Sequence, residues 1–309
     1  MTRPDDSLLT VSQLATIRRH ADKLLKDASA LNRFPTPIDD LMEAAKLIIV
    51  ADETLSESFI EQLMIKAKAG VATIKSALSK VLGLFEANDR LVLIDPGTPK
   101  PKVPFVKLHE AGHGTLPHQS KIYKLVHDCA ETLNADITDL FEREANVFAS
   151  EVLFQGDVFS TISRDHDFSI KVPMDLAKKF GASNYATFRR YVTTNHKACC
   201  VVVLEPSEYD NYGQIRVDVR RVVSSTSFEL IYDSTTLCRT VNSSHPIASA
   251  VPGKGRRMIS PHEIILVDRN GDKRVCMAEA FNFTHQTLVL LRDIGRQSSK
   301  SILVPKCGF

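Results

Sequence analysis

The sequence predicts an α+β protein with three successive regions, and the spacing of its apolar residues is the main reason. Apolar residues recur at helical spacing in residues 1–160, interrupted by short β-rich runs. Two short helical segments around a tight turn make up residues 161–195, and β-branched runs separated by turn signals fill residues 196–309. At 309 residues the chain is long enough for two or three compact domains with these boundaries.

The composition is that of a protein with ordinary hydrophobic cores, because 43% of the residues are hydrophobic and 25% are charged. The formal charge of +2 argues against binding of nucleic acid or anionic membranes over the whole surface, so any basic patch must be local. The N-terminal residues "MTRPDDSLLT" lack an apolar signal core, and no run approaches the ~20 apolar residues of a membrane span. We therefore expect a cytoplasmic protein without a membrane partner. The six cysteines form no CxxC pair, which favours free thiols over disulfides.

The first region begins with an amphipathic helix over residues 10–32, which Thr10 or Ser12 could cap. Helix formers fill residues 55–88, although Gly70 and Gly83 interrupt them. The remaining elements up to residue 104 are, in order, a short helix after Pro37, the strand "KLIIVAD", the strand "DRLVLID" and the loop "PGTPKPKVP".

Later elements follow the same rules of periodicity. Residues 141–154, "FEREANVFASEVLF", place Phe141, Phe148 and other apolar residues on one face and predict a buried helix. Residues 173–195 read as two helices around a turn at 181–183. Beyond residue 196 the strands dominate, and "DRNGDK" predicts a hairpin turn between two of them.

The stretch "FVKLHEAGHGTLPH" (105–118) contains the pattern of a metal site with its own general base. Positions i and i+4 lie on one face of a helix, so His109 and His113 can direct both imidazoles at one metal ion. Glu110 lies beside them and can take a proton from a water molecule at that metal. Zinc favours imidazole and carboxylate, and a catalytic zinc site keeps three protein ligands and one open position. The alternative is a solvated helix with two unrelated histidines.

The helix 141–154 offers the third ligand. Glu142 and Glu144 lie on a helix that is otherwise apolar, and such a helix rarely buries a carboxylate unless it is paired or binds a cation. The two side chains point about 200° apart, so both cannot face one metal. Asn146 follows Glu142 by four residues and can support the same cluster with a hydrogen bond to a ligand.

The two motifs together, "HEAGH" followed by "EREANVFASEVL", resemble the ImmA/IrrE family of zinc-dependent metallopeptidases over about residues 35–160. This resemblance implies a zincin-like fold for residues 1–160, Glu142 as the third ligand and Glu144 as a surface or hydrogen-bonding residue. The family usually continues "LLMP" where this chain has "VLFQ", so we expect the chain to leave this helix differently, at Phe154 and Gln155.

The resemblance also implies a function. It suggests a regulatory zinc metalloendopeptidase, for which manganese is an alternative metal, with Glu110 as the catalytic base. Its protein substrate would be a helix-turn-helix transcriptional repressor cleaved in a stress or DNA-damage response. Three nearby residues are candidates for stabilising the oxyanion, although structural roles are favoured for them: His118, Tyr123 and His127. The strand "DRLVLID" is either an edge strand that pairs with an extended substrate or an ordinary sheet strand.

Residues 176–192, "LAKKFGASNYATFRRYV", resemble a helix-turn-helix motif. Members of the family often carry such a motif in this region. The candidate contacts with nucleic acid are Lys178, Lys179, Arg189 and Arg190. These four cations could equally form a solvated helical face or a protein docking site. The β-rich C-terminal region, residues 196–309, weakly resembles the GAF-like C-terminal domain of the radiation-response members of the family. This resemblance suggests a sensor domain, and the alternative is a structural or dimerising module.

Two classes of function therefore remain in view. The first is the metalloendopeptidase, and the second is a DNA-binding transcriptional regulator with a structural or vestigial metal site. The sequence leaves open the substrate, the inducing signal and the oligomeric state.

Overall fold

The structure is a computed structural model that describes residues 9–50, 83–86, 90–95, 97–122, 135–206, 208–209, 215–233, 237, 239–253, 257–283 and 285–296. The chain divides into two compact units, Met1–His166 with Met174–Thr187, and Asp167–Pro173 with Phe188–Phe309. The predicted mixture of helices and sheets is confirmed, whereas the division into three domains stays a prediction.

The first unit begins with helix α1 (Val11–Asp27), which starts at the predicted cap. The Thr10 side chain accepts a hydrogen bond from the Gln13 backbone N–H, and the Gln13 side chain accepts one from the Thr10 N–H, so both ends of this capping box are made. The apolar face is buried at Ile17, Ala21, Leu24 and Leu25. The helix ends earlier than predicted, at residue 27, and α2 (Ile38–Ala44) follows after Pro37.

A three-stranded sheet comes next, formed by β1 (Ile48–Val50), β2 (Gly83–Glu86) and β3 (Leu91–Ile94) in the order β1-β3-β2. β3 pairs with β1 in parallel and with β2 in antiparallel orientation. The hypothesis that "DRLVLID" is a substrate-binding edge strand is therefore wrong, because both edges of β3 are already hydrogen-bonded within the sheet. In the described residues β2 has one strand neighbour only.

The helix predicted over residues 55–88 is wrong at residues 83–86, which form β2. Pairing with β3 overrides the helix propensity of this segment, and Gly83 is a poor helix residue. The rest of that predicted helix, residues 55–82 and 87–88, lies outside the described residues.

Two helices carry the predicted motifs, α3 (Val103–Thr115) and α4 (Ala135–Leu153). Pro104 lies in the first turn of α3, where its missing N–H costs no helical hydrogen bond. The predicted apolar face of α4 is buried, as at Phe141, Phe148 and Val152. Both helices belong to the first unit and pack against each other, and α1 packs against α4.

The chain leaves α4 through Phe154 and Gln155, where the sequence departs from the family pattern; a different exit from that of the family stays a prediction. Gln155 has a positive φ of 52°, and its buried side chain reaches the segment between α1 and α2. Its amide donates to the Arg33 carbonyl at 2.8 Å and accepts from the Asn32 N–H at 2.7 Å. Phe154 packs edge-on against Phe159. Gln155 therefore anchors the segment between α1 and α2.

Three helices follow α4, namely α5 (Asp157–Arg164), α6 (Lys171–Phe180) and α7 (Asn184–Thr193). The last two are the predicted helices around a turn, and Gly181 in that turn has a φ of 70°, which favours glycine. Their residues are divided between the units, because Met174–Thr187 belongs to the first unit and Phe188 begins the second.

The second unit is a curled antiparallel sheet. Its strands are β4 (Cys199–Leu204), β5 (Glu208–Tyr209), β6 (Ile215–Ser224), β7 (Thr240–Asn242), β8 (Met258–Val267), β9 (Lys273–Phe283) and β10 (Gln286–Arg296). The order is β5-β6-β4-β10-β9-β8, and β7 pairs with β6. One face of this sheet and the helix α8 (Thr226–Ile231) enclose the apolar core.

The hairpin predicted at "DRNGDK" is confirmed between β8 and β9. The Asp268 carboxylate accepts hydrogen bonds from the backbone N–H groups of Asn270 and Asp272, and Gly271 has a φ of 86°. Cys199, Cys200 and Cys276 are buried free thiols, as expected, and the other three cysteines lie outside the described residues. None of the described helices is long and apolar enough to cross a membrane.

Candidate metal centre

The two predicted histidine ligands lie one turn apart on α3 and converge. The Nε2 atoms of His109 and His113 are 3.2 Å apart, and the rings meet edge to face. The His113 side chain is 5% exposed and that of His109 is 13% exposed, so both imidazoles reach the site from the protein interior. The i, i+4 spacing accounts for this convergence.

Glu142 reaches the same point from α4. Its Oε2 lies 3.2 Å from the Nε2 of His109, and its Oε1 lies 3.4 Å from the Nε2 of His113. Among the described residues, this trio is the one group of three histidine, cysteine or acidic side chains whose ligand atoms lie within 4.8 Å of one another. The structure thus brings together the three residues that the motifs nominate.

The spacing of these atoms fits a zinc ion. Tetrahedral zinc with bonds of about 2.0–2.1 Å keeps its ligand atoms about 3.3 Å apart. The two Nε2 atoms lie 3.2 Å apart, and each lies 3.2 or 3.4 Å from a different oxygen of Glu142, which is close to that value. Two imidazoles and one carboxylate are also the donor set of a catalytic zinc site with one open position.

The predicted supporting residue, Asn146, contacts the first histidine. Its Oδ1 lies 3.2 Å from the Nδ1 of His109. An amide oxygen can only accept, so the Nδ1–H of His109 donates and Nε2 keeps its lone pair for a metal. Glu142 and Asn146, one turn apart on α4, therefore contact the same imidazole at its two nitrogens.

A close helix crossing explains how α4 reaches α3. A Cβ on Gly112 would lie 3.1 Å from the Cα of Ala145 and 3.3 Å from a ring carbon of Phe148. The helices approach closely here because glycine has no side chain and alanine a small one. Gly112 is flanked by the HExxH ligands, and Ala145 lies between Glu142 and Asn146, so both motifs contain the contact that holds them together.

Burial and local charge set the pKa values of the carboxyl groups. Burial raises the pKa of Glu110 above its usual value, although nearby His109 and His113 and a backbone hydrogen bond from Phe85 oppose the shift. Burial alone would also raise the pKa of Glu142. Hydrogen bonds and charge from the two histidines outweigh that effect and hold the Glu142 pKa far below its usual range. Burial would lower the pKa of His113, but Glu142 and Glu110 outweigh it and raise that pKa.

Two further polar residues lie behind His113. Gln119, which sequence reasoning missed, is fully buried, and its Oε1 lies 2.7 Å from the Nδ1 of His113. Glu144 is also buried and accepts from Gln119 Nε2 at 2.7 Å and from His118 Nε2 at 2.5 Å. The expectation of a hydrogen-bonding Glu144 thus describes its place better than that of a surface residue. Tyr123 and His127 lie outside the described residues.

The four candidate nucleic-acid contacts lie in different surroundings. Lys178 is exposed and pairs with Asp175, and the ammonium of Lys179 lies 4.3 Å from the ring centre of Phe34. Arg190 is 9% exposed, which argues against contact with a phosphate, while Arg189 is half-buried. The two lysines belong to the first unit and the two arginines to the second. Binding of DNA through these residues stays a prediction.

The HExxH pattern on α3 and the glutamate from α4 together form a candidate metal site of His109, His113 and Glu142. Residues 67–190 match the family described as the IrrE N-terminal-like domain, Peptidase_M78. The resemblance to the ImmA/IrrE family drawn from the motifs is confirmed over these residues.

Among solved structures, a Mycobacterium tuberculosis transcriptional regulator is similar to this chain with a TM-score of 0.49 and 12% sequence identity, over 90% of this chain and 76% of that one. Similarity at this level carries no functional conclusion. No curated protein matches the chain.

Proposed function

We propose that this chain is a zinc-dependent endopeptidase that hydrolyses a peptide bond in a specific protein. The observation that carries the proposal is the convergence of His109, His113 and Glu142, with ligand atoms 3.2–3.4 Å apart, beside the buried Glu110. The family match over residues 67–190 supports a metallopeptidase of the IrrE-like type.

In the proposed hydrolysis, the metal ion and the side chains of the protein have separate roles. Zinc bound by the three side chains would act as a Lewis acid that polarises a peptide carbonyl and acidifies water to a pKa of about 7. Glu110 then takes the proton from the attacking water and delivers it to the leaving amine nitrogen. Its burial raises its pKa toward the range that suits a group which must both accept and return a proton.

The surroundings of Glu110 hold its carboxylate in place. The backbone of Phe85 in β2 hydrogen-bonds to this carboxylate, so the strand and the active-site helix are connected at the catalytic group. Gly114 lies against the Phe85 ring, since a Cβ there would be 3.0 Å from it. Because β3 is central in its sheet, β2 replaces it as the strand beside which an extended substrate would lie.

The substrate class follows from the family resemblance. We infer a small helix-turn-helix transcriptional repressor as the target and a stress or DNA-damage response as the setting, in the cytoplasm. Zinc is the proposed metal, and manganese suits the same ligands.

The Glu110→Gln variant tests the proposal, because it removes the proton carrier and keeps the shape. Purified wild-type chain with Zn²⁺ should cleave the repressor encoded beside its gene, as read by mass spectrometry of the fragments. Glu110→Gln should cleave about 10²–10⁴-fold more slowly while binding the same amount of zinc by elemental analysis. If Glu110→Gln keeps full biological activity and changes at Lys178 and Arg189 abolish it, the DNA-binding regulator is correct instead.

A further inference from the structure

The buried amide of Gln119 is a polar contact of His113 outside the ligand cluster. We propose that Gln119 is a positioning residue for His113 and that Glu144 sets the orientation of Gln119; this inference rests on the proposed metal centre. The Nδ1 of His113 lies 2.7 Å from the Oε1 of Gln119. Gln119 is 0% exposed, so water does not compete for this hydrogen bond.

The other end of the amide decides which way Gln119 faces. Its Nε2 lies 2.7 Å from the Oε2 of Glu144 and 3.3 Å from the backbone carbonyl oxygen of Phe141. A carboxylate oxygen and a carbonyl oxygen are both acceptors, so the amide NH₂ must face them. The carbonyl oxygen of Gln119 is thereby turned toward His113.

This orientation selects the tautomer of His113. An amide oxygen accepts and cannot donate, so the Nδ1 of His113 must carry the proton. The neutral imidazole then has its lone pair on Nε2, the atom that faces His109 and Glu142. A flipped Gln119 would put its NH₂ against Nδ1 and favour the tautomer that cannot bind metal through Nε2.

Glu144 is suited to this task because its own position is secured. It is 4% exposed, and its Oε2 also accepts a hydrogen bond from His118 at 2.5 Å. α4 therefore orients both histidines of α3. Asn146 contacts the Nδ1 of His109 directly, and Glu144 acts on the Nδ1 of His113 through Gln119.

The Gln119→Met variant keeps the approximate volume of the side chain and removes its three hydrogen bonds, to His113, Glu144 and the Phe141 carbonyl. We expect its Kd for Zn²⁺, measured by competition with a chromophoric chelator, to rise about 10- to 100-fold. The Co²⁺-substituted variant should also show altered d–d absorption bands, which report ligand geometry without any activity assay. Gln155→Met is the matched control, because Gln155 is an equally buried glutamine in the same unit that makes no contact with the metal cluster.

Glu144 variants give a second measurement if Gln119→Met does not fold. Glu144→Met should weaken zinc binding nearly as much as Gln119→Met, whereas Glu144→Gln keeps an acceptor for Gln119 and should bind zinc within about threefold of wild type. Wild-type zinc affinity and cobalt spectrum in Gln119→Met or in Glu144→Met would overturn the positioning role and leave the metal centre standing. A wild-type chain that binds no zinc would overturn both.

Discussion

Each unit places a carboxylate among polar side chains, but the two clusters use their hydrogen-bonding groups differently. In the second unit, the Asp293 carboxylate accepts from Arg274 Nε at 2.9 Å and Nη2 at 2.7 Å, and from the Tyr232 hydroxyl at 2.8 Å. Donors there face acceptors, and the charges of Asp293 and Arg274 balance. This cluster is complete as it stands and needs no ligand.

In the first unit, acceptors face one another. The Nδ1–H groups of His109 and His113 donate to Asn146 and Gln119, so both Nε2 atoms present lone pairs, and the Glu142 carboxylate lies against them. The two Nε2 atoms and the two Glu142 oxygens, with separations of 3.2–3.4 Å, repel one another unless a proton or a metal cation lies among them. The comparison teaches that the arrangement of donors and acceptors, more than burial or charge, separates a structural cluster from a metal site.

Removing the third ligand should have the largest effect. At a zinc concentration a thousandfold above Kd, wild type should gain about 4 kcal/mol in free energy of unfolding. Glu142→Ala should lose that gain and the peptidase activity together, because two histidines alone hold zinc weakly. Urea denaturation with and without Zn²⁺ measures the gain in free energy of unfolding for each chain. Asp139→Ala, at an exposed position of the same helix, is the control. A Glu142→Ala chain that zinc still stabilises by the wild-type amount would contradict the metal centre.

Breaking the cluster of the second unit should lower stability without touching the metal. Asp293→Ala leaves Arg274 unpaired with its side chain only 16% exposed, and loss of one partner of a buried ion pair costs about 3–5 kcal/mol. Urea denaturation should show this loss, while the zinc affinity stays at the wild-type value. Glu205→Ala, which breaks an exposed pair with Arg220, should cost no more than about 1 kcal/mol. Equal losses of unfolding free energy in Asp293→Ala and Glu205→Ala would show that the buried ion pair stabilises the fold no more than the exposed one.

Widening the helix crossing should weaken both stability and metal binding. Gly112→Ala places a Cβ 3.1 Å from the Ala145 Cα, so the helices must separate, at a cost of about 1–3 kcal/mol. Glu142 moves with α4, so zinc affinity should fall as well. Calorimetric titration with Zn²⁺ and urea denaturation measure the two effects. Gly253→Ala, where a Cβ would meet nothing within 4 Å, should change neither. A Gly112→Ala chain with wild-type zinc affinity would refute the role of the crossing.

The smallest expected effect is the contribution of Asp293 to the pH dependence of stability. Burial alone would raise the pKa of Asp293, but Arg274 and Tyr232 outweigh it and lower that pKa below its usual value of 3.8. A carboxyl group with a lowered pKa stabilises the fold fully above its unfolded-state pKa, and this stabilisation is lost as the pH falls through the folded-state pKa. The urea midpoint of wild type should therefore drop below about pH 4, and Asp293→Asn should show a shallower drop. Parallel pH profiles for the two chains would rule out this contribution.

The local parts of the candidate site could be predicted from the sequence. The convergence of His109 and His113 depends on the helical period alone, and the same period places Glu142 and Asn146 on one face of α4. The buried face of α4 and the hairpin at residues 268–273 follow from the same kind of local pattern.

Elements that depend on distant partners were not predictable in this way. Residues 83–86 follow a run of helix formers, yet they form a strand because β3 offers them a partner. The sequence left open whether "DRLVLID" is an edge strand or an ordinary sheet strand for the same reason, since a strand's neighbours come from other parts of the chain. Gln119 carries no motif, and its role depends on a carboxylate 25 residues further along the chain.

By itself the sequence determined which residues could act as ligands, because two residues four apart on a helix share a face in any fold. Only the tertiary structure decided how these ligands are held. The crossing at Gly112 and Ala145 sets the distance between α3 and α4, and the amide of Gln119 is turned by Glu144 so that the ring nitrogen of His113 faces the cluster. Hydrogen bonds have a direction and a short range, so which donors and acceptors meet is known only when distant segments are packed together.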